Sequence, residues 1–121
     1  MWTRRNWLML AAFLGFVSVA AGAFGAHAAA DERASELLKT GAQYGLAHAL
    51  AVLVWGANSK SASRGGVAPA LFLGGATVFC GTLYAIALGA PPLLGAVTPI
   101  GGLLLLSGWL ALAWSLRREN P

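Results

Sequence analysis

Seven side chains could do chemistry in an otherwise apolar chain: His27, Gln43, Tyr44, His48, Cys80, Tyr84 and Thr98. His48 leads them, because an ionisable group inside an apolar segment is costly and is a functional candidate by default. Tyr44 and His48 are four residues apart, so on a helix they share a face one turn apart. The set could line a site for a small solute or an ion. Other chemistries fail on spacing. Cys80 has no base and orienting group beside it to make a nucleophile. His27, His48 and Cys80 contain no i, i+3 or i, i+4 pair and no nearby acid, so no metal site is expected. Haem ligation by the two histidines needs equal depth on facing helices, and they differ by about 8–12 Å. Gly22-Ala23-Phe24-Gly25 has no phosphate-loop pattern. No catalytic constellation emerges, and neither an enzyme nor a cofactor is expected.

The elements that position these residues follow from composition. The chain has 121 residues, 58% of them hydrophobic and 10% charged, with a mean hydropathy of +0.69. A soluble domain carries about 25% charged residues, so the natural solvent here is lipid. Four apolar segments each approach the roughly 20 residues that cross a bilayer. They run over about 7–28, 40–57, 67–88 and 94–116. Backbone groups in lipid must be satisfied within the segment, so all four are predicted as helices. The expectation is a single all-α membrane domain over 1–121, a four-helix bundle. Asp31 to Lys39 makes a charged first loop that can form a short surface helix. Asn58 to Gly66 is a polar turn, and Gly89 to Pro92 a tight uncharged one.

Charge sets the orientation. The net charge is +4, but Arg4, Arg5, Lys60, Arg64, Arg117 and Arg118 flank apolar segments and form no continuous basic face, which argues against a nucleic-acid partner. All six fall on one side, whereas Arg33 and Lys39 sit among acids on the other. The positive-inside rule then places both termini in the cytoplasm. Trp2, Trp7, Trp55, Trp109 and Trp114 fall in the cytoplasmic half, and Tyr44 and Tyr84 near the outer interface. In this arrangement His27, Gln43, Tyr44, His48, Tyr84 and Thr98 converge in the outer half of the bundle. Every carboxylate (Asp31, Glu32, Glu36, Glu119) lies outside the helices, which argues against a proton-driven exchanger. Hydrogen bonds that lock helix register are the structural alternative for the polar set.

Small residues recur at four-residue spacing: Ala11 and Gly15, then Ser18, Gly22, Ala26 and Ala30; Gly41, Gly45 and Ala49; Gly66, Ala70 and Gly74. Such stripes let helix backbones approach closely in lipid. Gly15, Gly22, Gly41, Gly45 and Gly74 are the expected packing glycines, within the chain or against a second copy. A rival reading of residues 1–30 is a cleaved leader, with Arg4-Arg5 as its basic start and Ala28-Ala29-Ala30 as its cleavage site, although its apolar core is longer than usual.

Four motifs in order resemble the domain-of-unknown-function 423 family, the YgdD-like small bacterial inner-membrane proteins. They are Gly22-Ala23-Phe24-Gly25-Ala26-His27, Gln43-Tyr44 with His48-Ala49-Leu50, Gly81-Thr82-Leu83-Tyr84, and Leu94-Gly95 with Thr98-Pro99-Ile100-Gly101-Gly102. The resemblance implies a multi-pass inner-membrane protein that retains its first segment, and it places the polar set at signature positions. Gly45 departs from the polar or bulkier residue expected there in some relatives. Three functions remain open. One is an accessory or assembly component that packs against a membrane-protein partner or a second copy in the lipid bilayer. The second is a small-solute or ion transporter. The third is a lipid-acting enzyme through His27.

Overall fold

The structure is a computed structural model, and it describes residues 2–58 and 65–117. Lys60, Arg64, Arg118 and Glu119 lie outside the described residues. Four α-helices make up the fold: α1 (Arg4–His27), α2 (Glu32–Ala57), α3 (Val67–Ala87) and α4 (Thr98–Arg117), with a 3-10 turn at Pro92–Ala96 before α4. No strand occurs among the described residues. Helices α1 and α3 and the run Pro92–Arg117 are long and apolar enough to cross a membrane. The fourth, α2, has 26 residues and so reaches about 39 Å, but it is less apolar, with Gln43, Tyr44 and His48 along it.

Local chemistry explains the boundaries. Helix α1 starts three residues before the apolar run, because the Asn6 carboxamide accepts from both the backbone N–H and the hydroxyl of Thr3, each at 2.9 Å, the return arm of a capping box. The separate surface helix expected before Thr40 is instead the beginning of α2. The Asp31 side chain accepts from the Ala34 N–H at 2.7 Å, satisfying a free donor of the first turn. From there Ala34, Leu38, Gly41, Gly45 and His48 are buried at helical spacing, while Glu32, Arg33, Glu36 and Lys39 stay exposed. One continuous helix thus serves both surface and interior. Helix α3 ends in a Schellman turn: Ala90 N–H donates to Ala85 O at 2.9 Å and Gly89 N–H to Ile86 O at 3.1 Å, with Gly89 at φ +112°. The fourth helix opens at Thr98, later than position 94. Pro99 falls in its first turn, where a missing N–H costs little, and the preceding stretch Pro92–Ala96 closes into the 3-10 turn.

The helices form an ordered array. Helix α2 packs against α1 on one side and α3 on the other, and α3 packs against α4. Helices α1 and α4 share no extended contact, so the bundle is open along that edge. The central place of α2 accounts for its polarity: it faces protein more than lipid, and ten of its residues are buried. The start of α1 and the end of α4 lie at one end, where Arg4 donates from a guanidinium nitrogen to Gly56 O at 2.7 Å. That bond ties the start of α1 to the end of α2, a favourable partner for a cation. The larger core cluster, Ala11, Ala51, Val52, Trp55, Ala68, Phe72 and Leu73, fills the same half. Met9, Phe13, Phe16 and Val19 of α1 and Leu103, Leu106 and Leu110 of α4 face outward, as lipid-facing residues do.

Candidate functional site

His48 sits near the middle of the uncharged part of α2 and is only 5% exposed. Its Nε2 accepts from the indole N–H of Trp109 on α4 at 3.0 Å. Its Nδ1 lies 2.6 Å from Tyr44 O, one turn back. Since the indole can only donate, Nε2 is the acceptor, and the ring proton belongs on Nδ1. Both nitrogens are therefore engaged by a neutral ring of one tautomer. Aromatic rings enclose it: Phe72 at 5.6 Å and Trp109 at 5.8 Å between centroids, with Tyr44 stacked at 6.4 Å. Phe72 and Trp109 meet edge to face at 5.0 Å, and Tyr44 meets Phe79 at 4.8 Å. This junction joins α2, α3 and α4 at one level. A cleft of about 520 Å³ runs past it, lined by Tyr44, His48, Phe79, Leu103, Leu106 and Trp109.

The six polar candidates divide into four places, not one. Tyr44 and His48 share the junction. Gln43 and His27 are exposed. Thr98 pairs with Thr82 through hydroxyls 2.6 Å apart, and Thr82 in turn donates to Phe79 O at 3.0 Å, so this contact pins α4 to α3. Tyr84 points the other way, toward α1 and α2, where its ring lies against the bare Cα of Gly41. Its hydroxyl is enclosed and is in hydrogen-bonding geometry with no neighbour among the described residues. Ser18 and Cys80 are beside it, but their protons go to Leu14 O at 2.8 Å and Gly41 O at 3.1 Å. The separation has a simple cause. Residues 41, 44 and 48 lie within about 60° of one another around α2, but Gly41 stands about two turns nearer the start of the helix than His48, and it is there that the Tyr84 ring reaches α2.

The packing glycines also sort by position. Gly22 meets Ala42 with 3.3 Å between a built Cβ and its neighbour, and Gly15 meets Ala49 at 3.9 Å. Gly45 receives the Ser18 hydroxyl, and Gly41 the Tyr84 ring. Gly74 makes no such contact within the fold: among the described residues nothing lies within 4 Å of the place of its Cβ, and it is exposed. The contact belongs to Gly75, where a Cβ would come 2.9 Å from Leu105 N and 3.0 Å from Gly101 O. Sequence reasoning missed Gly75, Gly101, Trp109, Thr82 and the polar role of Ser18. Trp109 was read as part of the inner aromatic belt, yet it lies eight residues inside the end of α4, about 12 Å deep, where an unpaired indole N–H is costly. That depth was the available signal.

An all-helical array with lipid-facing outer surfaces and an internally tied polar junction defines a small multi-pass membrane protein. The chain belongs to the DUF423 family, described as a protein of unknown function, whose model matches residues 21–102. That stretch includes all six polar candidates but stops before Trp109. A UPF0382 membrane protein of Haemophilus influenzae is 37% identical over 92% of this chain and 93% of its own length. The UPF0382 inner membrane protein YgdD of Escherichia coli is 39% identical over 98% of this chain and 95% of its own. A Staphylococcus haemolyticus UPF0382 membrane protein is 36% identical over 87% and 89%. No solved structure matches the chain. The protein is thus a multi-pass protein of the bacterial inner membrane.

Proposed function

We propose that the protein is a non-enzymatic accessory or assembly component, which docks another membrane helix against its own small-residue face with both its termini in the cytoplasm. The observation that carries this reading is the outward face of α3. Among the described residues, Gly74 and Gly81 have nothing within 4 Å of the place where a side chain would begin, and Ala70 and Thr77 continue that exposed face. Glycine weakens a helix by about 1 kcal/mol relative to alanine, and small faces are where backbones approach in lipid. Nearly all the other helical glycines already meet a neighbour inside the fold. The internal polar groups support the same reading. His48 has no free ring nitrogen, so the residue best suited to chemistry acts as a lock between helices.

The test is a photocrosslinking residue at position 77, where the face already carries a side chain, in native membranes, with position 110 on α4 as control. A discrete protein adduct is expected from 77, lipid alone from 110, and no adduct from 77 once Gly81→Leu fills the face. Lipid alone from both positions counts decisively against docking. A second reading, passage of a small solute or ion, is favoured by the cleft of about 520 Å³ that reaches Tyr44 and His48. Its test is flux in reconstituted vesicles, which must fall in His48→Leu if that reading holds.

A further inference from the structure

The end of the molecule that carries the start of α1 and the end of α4 has a feature separate from the packing face. A cavity of about 290 Å³ opens there between Trp2, Arg4, Trp7, Trp55 and Gly66. Arg4 is exposed, but it is held in place by its bond to Gly56 O at 2.7 Å. That bond uses one of the five N–H donors of the guanidinium. The rest remain in the planar fork that matches phosphate oxygens. Trp2 and Trp7 meet edge to face with centroids 5.0 Å apart and supply walls of the type that lies at head-group depth. Charge is unevenly divided: Arg4, Arg5 and Arg117 lie at this end without a described carboxylate, whereas at the opposite end Arg33 and Lys39 stand among Asp31, Glu32 and Glu36.

We propose that this cavity is a binding site for the phosphodiester head group of an anionic phospholipid. Arg4 receives the phosphate, and the Trp2–Trp7 pair packs on the glycerol and upper acyl region. The bond to Gly56 O fixes the guanidinium before the lipid arrives, so less ordering remains to be done on binding. A basic pocket between membrane helices at the head-group level fits a lipid phosphate better than a soluble one, because the lipid is already held at that depth.

The experiment is native mass spectrometry of the full-length protein in detergent, with phosphatidylglycerol or phosphatidylethanolamine added, and inorganic phosphate as competitor. Phosphatidylglycerol is expected to stay bound at collision energies that strip phosphatidylethanolamine. Arg4→Gln should lower its retention about tenfold, the scale of one charged hydrogen-bond pair. Arg117→Gln should leave retention unchanged. Because Arg4 also ties α1 to α2, Trp2→Ala provides the independent variant: Trp2 is 55% exposed, and a severalfold loss is expected without unfolding. Equal retention of the two lipids, or unchanged retention in Trp2→Ala, overturns the proposal. Displacement of the lipid by millimolar phosphate reassigns the site to a soluble anion and overturns it as well.

Discussion

The α3/α4 seam and the His48 junction join overlapping sets of helices by opposite means. At the seam the side chains have been removed. Gly75 and Gly101 face each other so closely that a Cβ on Gly101 would come 2.8 Å from Phe79 Cα and 2.9 Å from Gly75 O. At the junction the side chains have been added: His48, Trp109, Phe72 and Tyr44 fill the space between helices and hydrogen-bond across it. Lipid offers no hydrophobic drive between helices, so association rests on close packing and on hydrogen bonds. The seam uses the first and the junction the second. The first is intolerant because backbone atoms cannot move aside. The second tolerates change because a lost bond leaves the ring packing in place.

The largest effect should follow from Gly101→Ala. Its new methyl meets backbone atoms of Phe79, which no rotamer change can relieve. Overpacking of this kind costs about 3 kcal/mol. Reversible unfolding in mixed micelles, titrated with a denaturing detergent, reads that loss. A change under about 0.5 kcal/mol, the range of neutral surface substitutions, means that the seam is wider than drawn.

A smaller effect is expected at the junction. Trp109→Phe keeps an aromatic ring against Phe72 but removes the indole donor to His48 Nε2. Interhelical hydrogen bonds in membranes average about 0.6 kcal/mol and reach about 1.7 kcal/mol, so about 1 kcal/mol is expected. Nitrogen NMR of the parent protein should show His48 with its proton on Nδ1 and an acceptor-type Nε2, and that Nε2 signal should move in Trp109→Phe. A parent spectrum with the proton on Nε2 breaks the comparison, because the indole could not then donate to it.

Much of this was legible in the residues, and the remainder was lost for identifiable reasons. Lipid-length apolar runs are visible without any contact, so the four helices and the turn at Gly89 could be read directly, while most of the expected turn from Asn58 to Gly66 lies outside the described residues. The start of α2 was missed because a charged stretch reads as a loop unless its apolar positions, Ala34 and Leu38, are followed through into Gly41 and Gly45. The depth of His48 could be read, but the azimuth of its neighbours could not. A tyrosine at 44 and a tyrosine at 84 look equivalent in a helix-by-helix depth count, yet one faces α4 and the other α1. Tertiary packing alone decides that angle. Four-residue spacing picked out the outward stripe of Ala70 and Gly74 but not Gly75, one residue on, which meets the last helix.

That pair supplies the smallest expected effect and the sharpest comparison. Gly74 and Gly75 are adjacent, in the same helix, and differ only in direction. Gly75→Ala places a methyl 2.9 Å from Leu105 N and 3.0 Å from Gly101 O, so it should destabilise by about 1–3 kcal/mol, as overpacking does. Gly74→Ala places a methyl in open space. It should change stability by less than about 0.5 kcal/mol, with the sign set by alanine's better helix propensity. Helix content and unfolding midpoints of the two variants, measured side by side, read the difference. If Gly74→Ala is as damaging as Gly75→Ala in purified monomer, the outward face is already in use within the chain, and it is not free to dock a partner. If Gly74→Ala is silent in the monomer but removes the adduct formed from a photocrosslinking residue at position 77 in native membranes, the glycine is kept for a contact that the single chain does not contain.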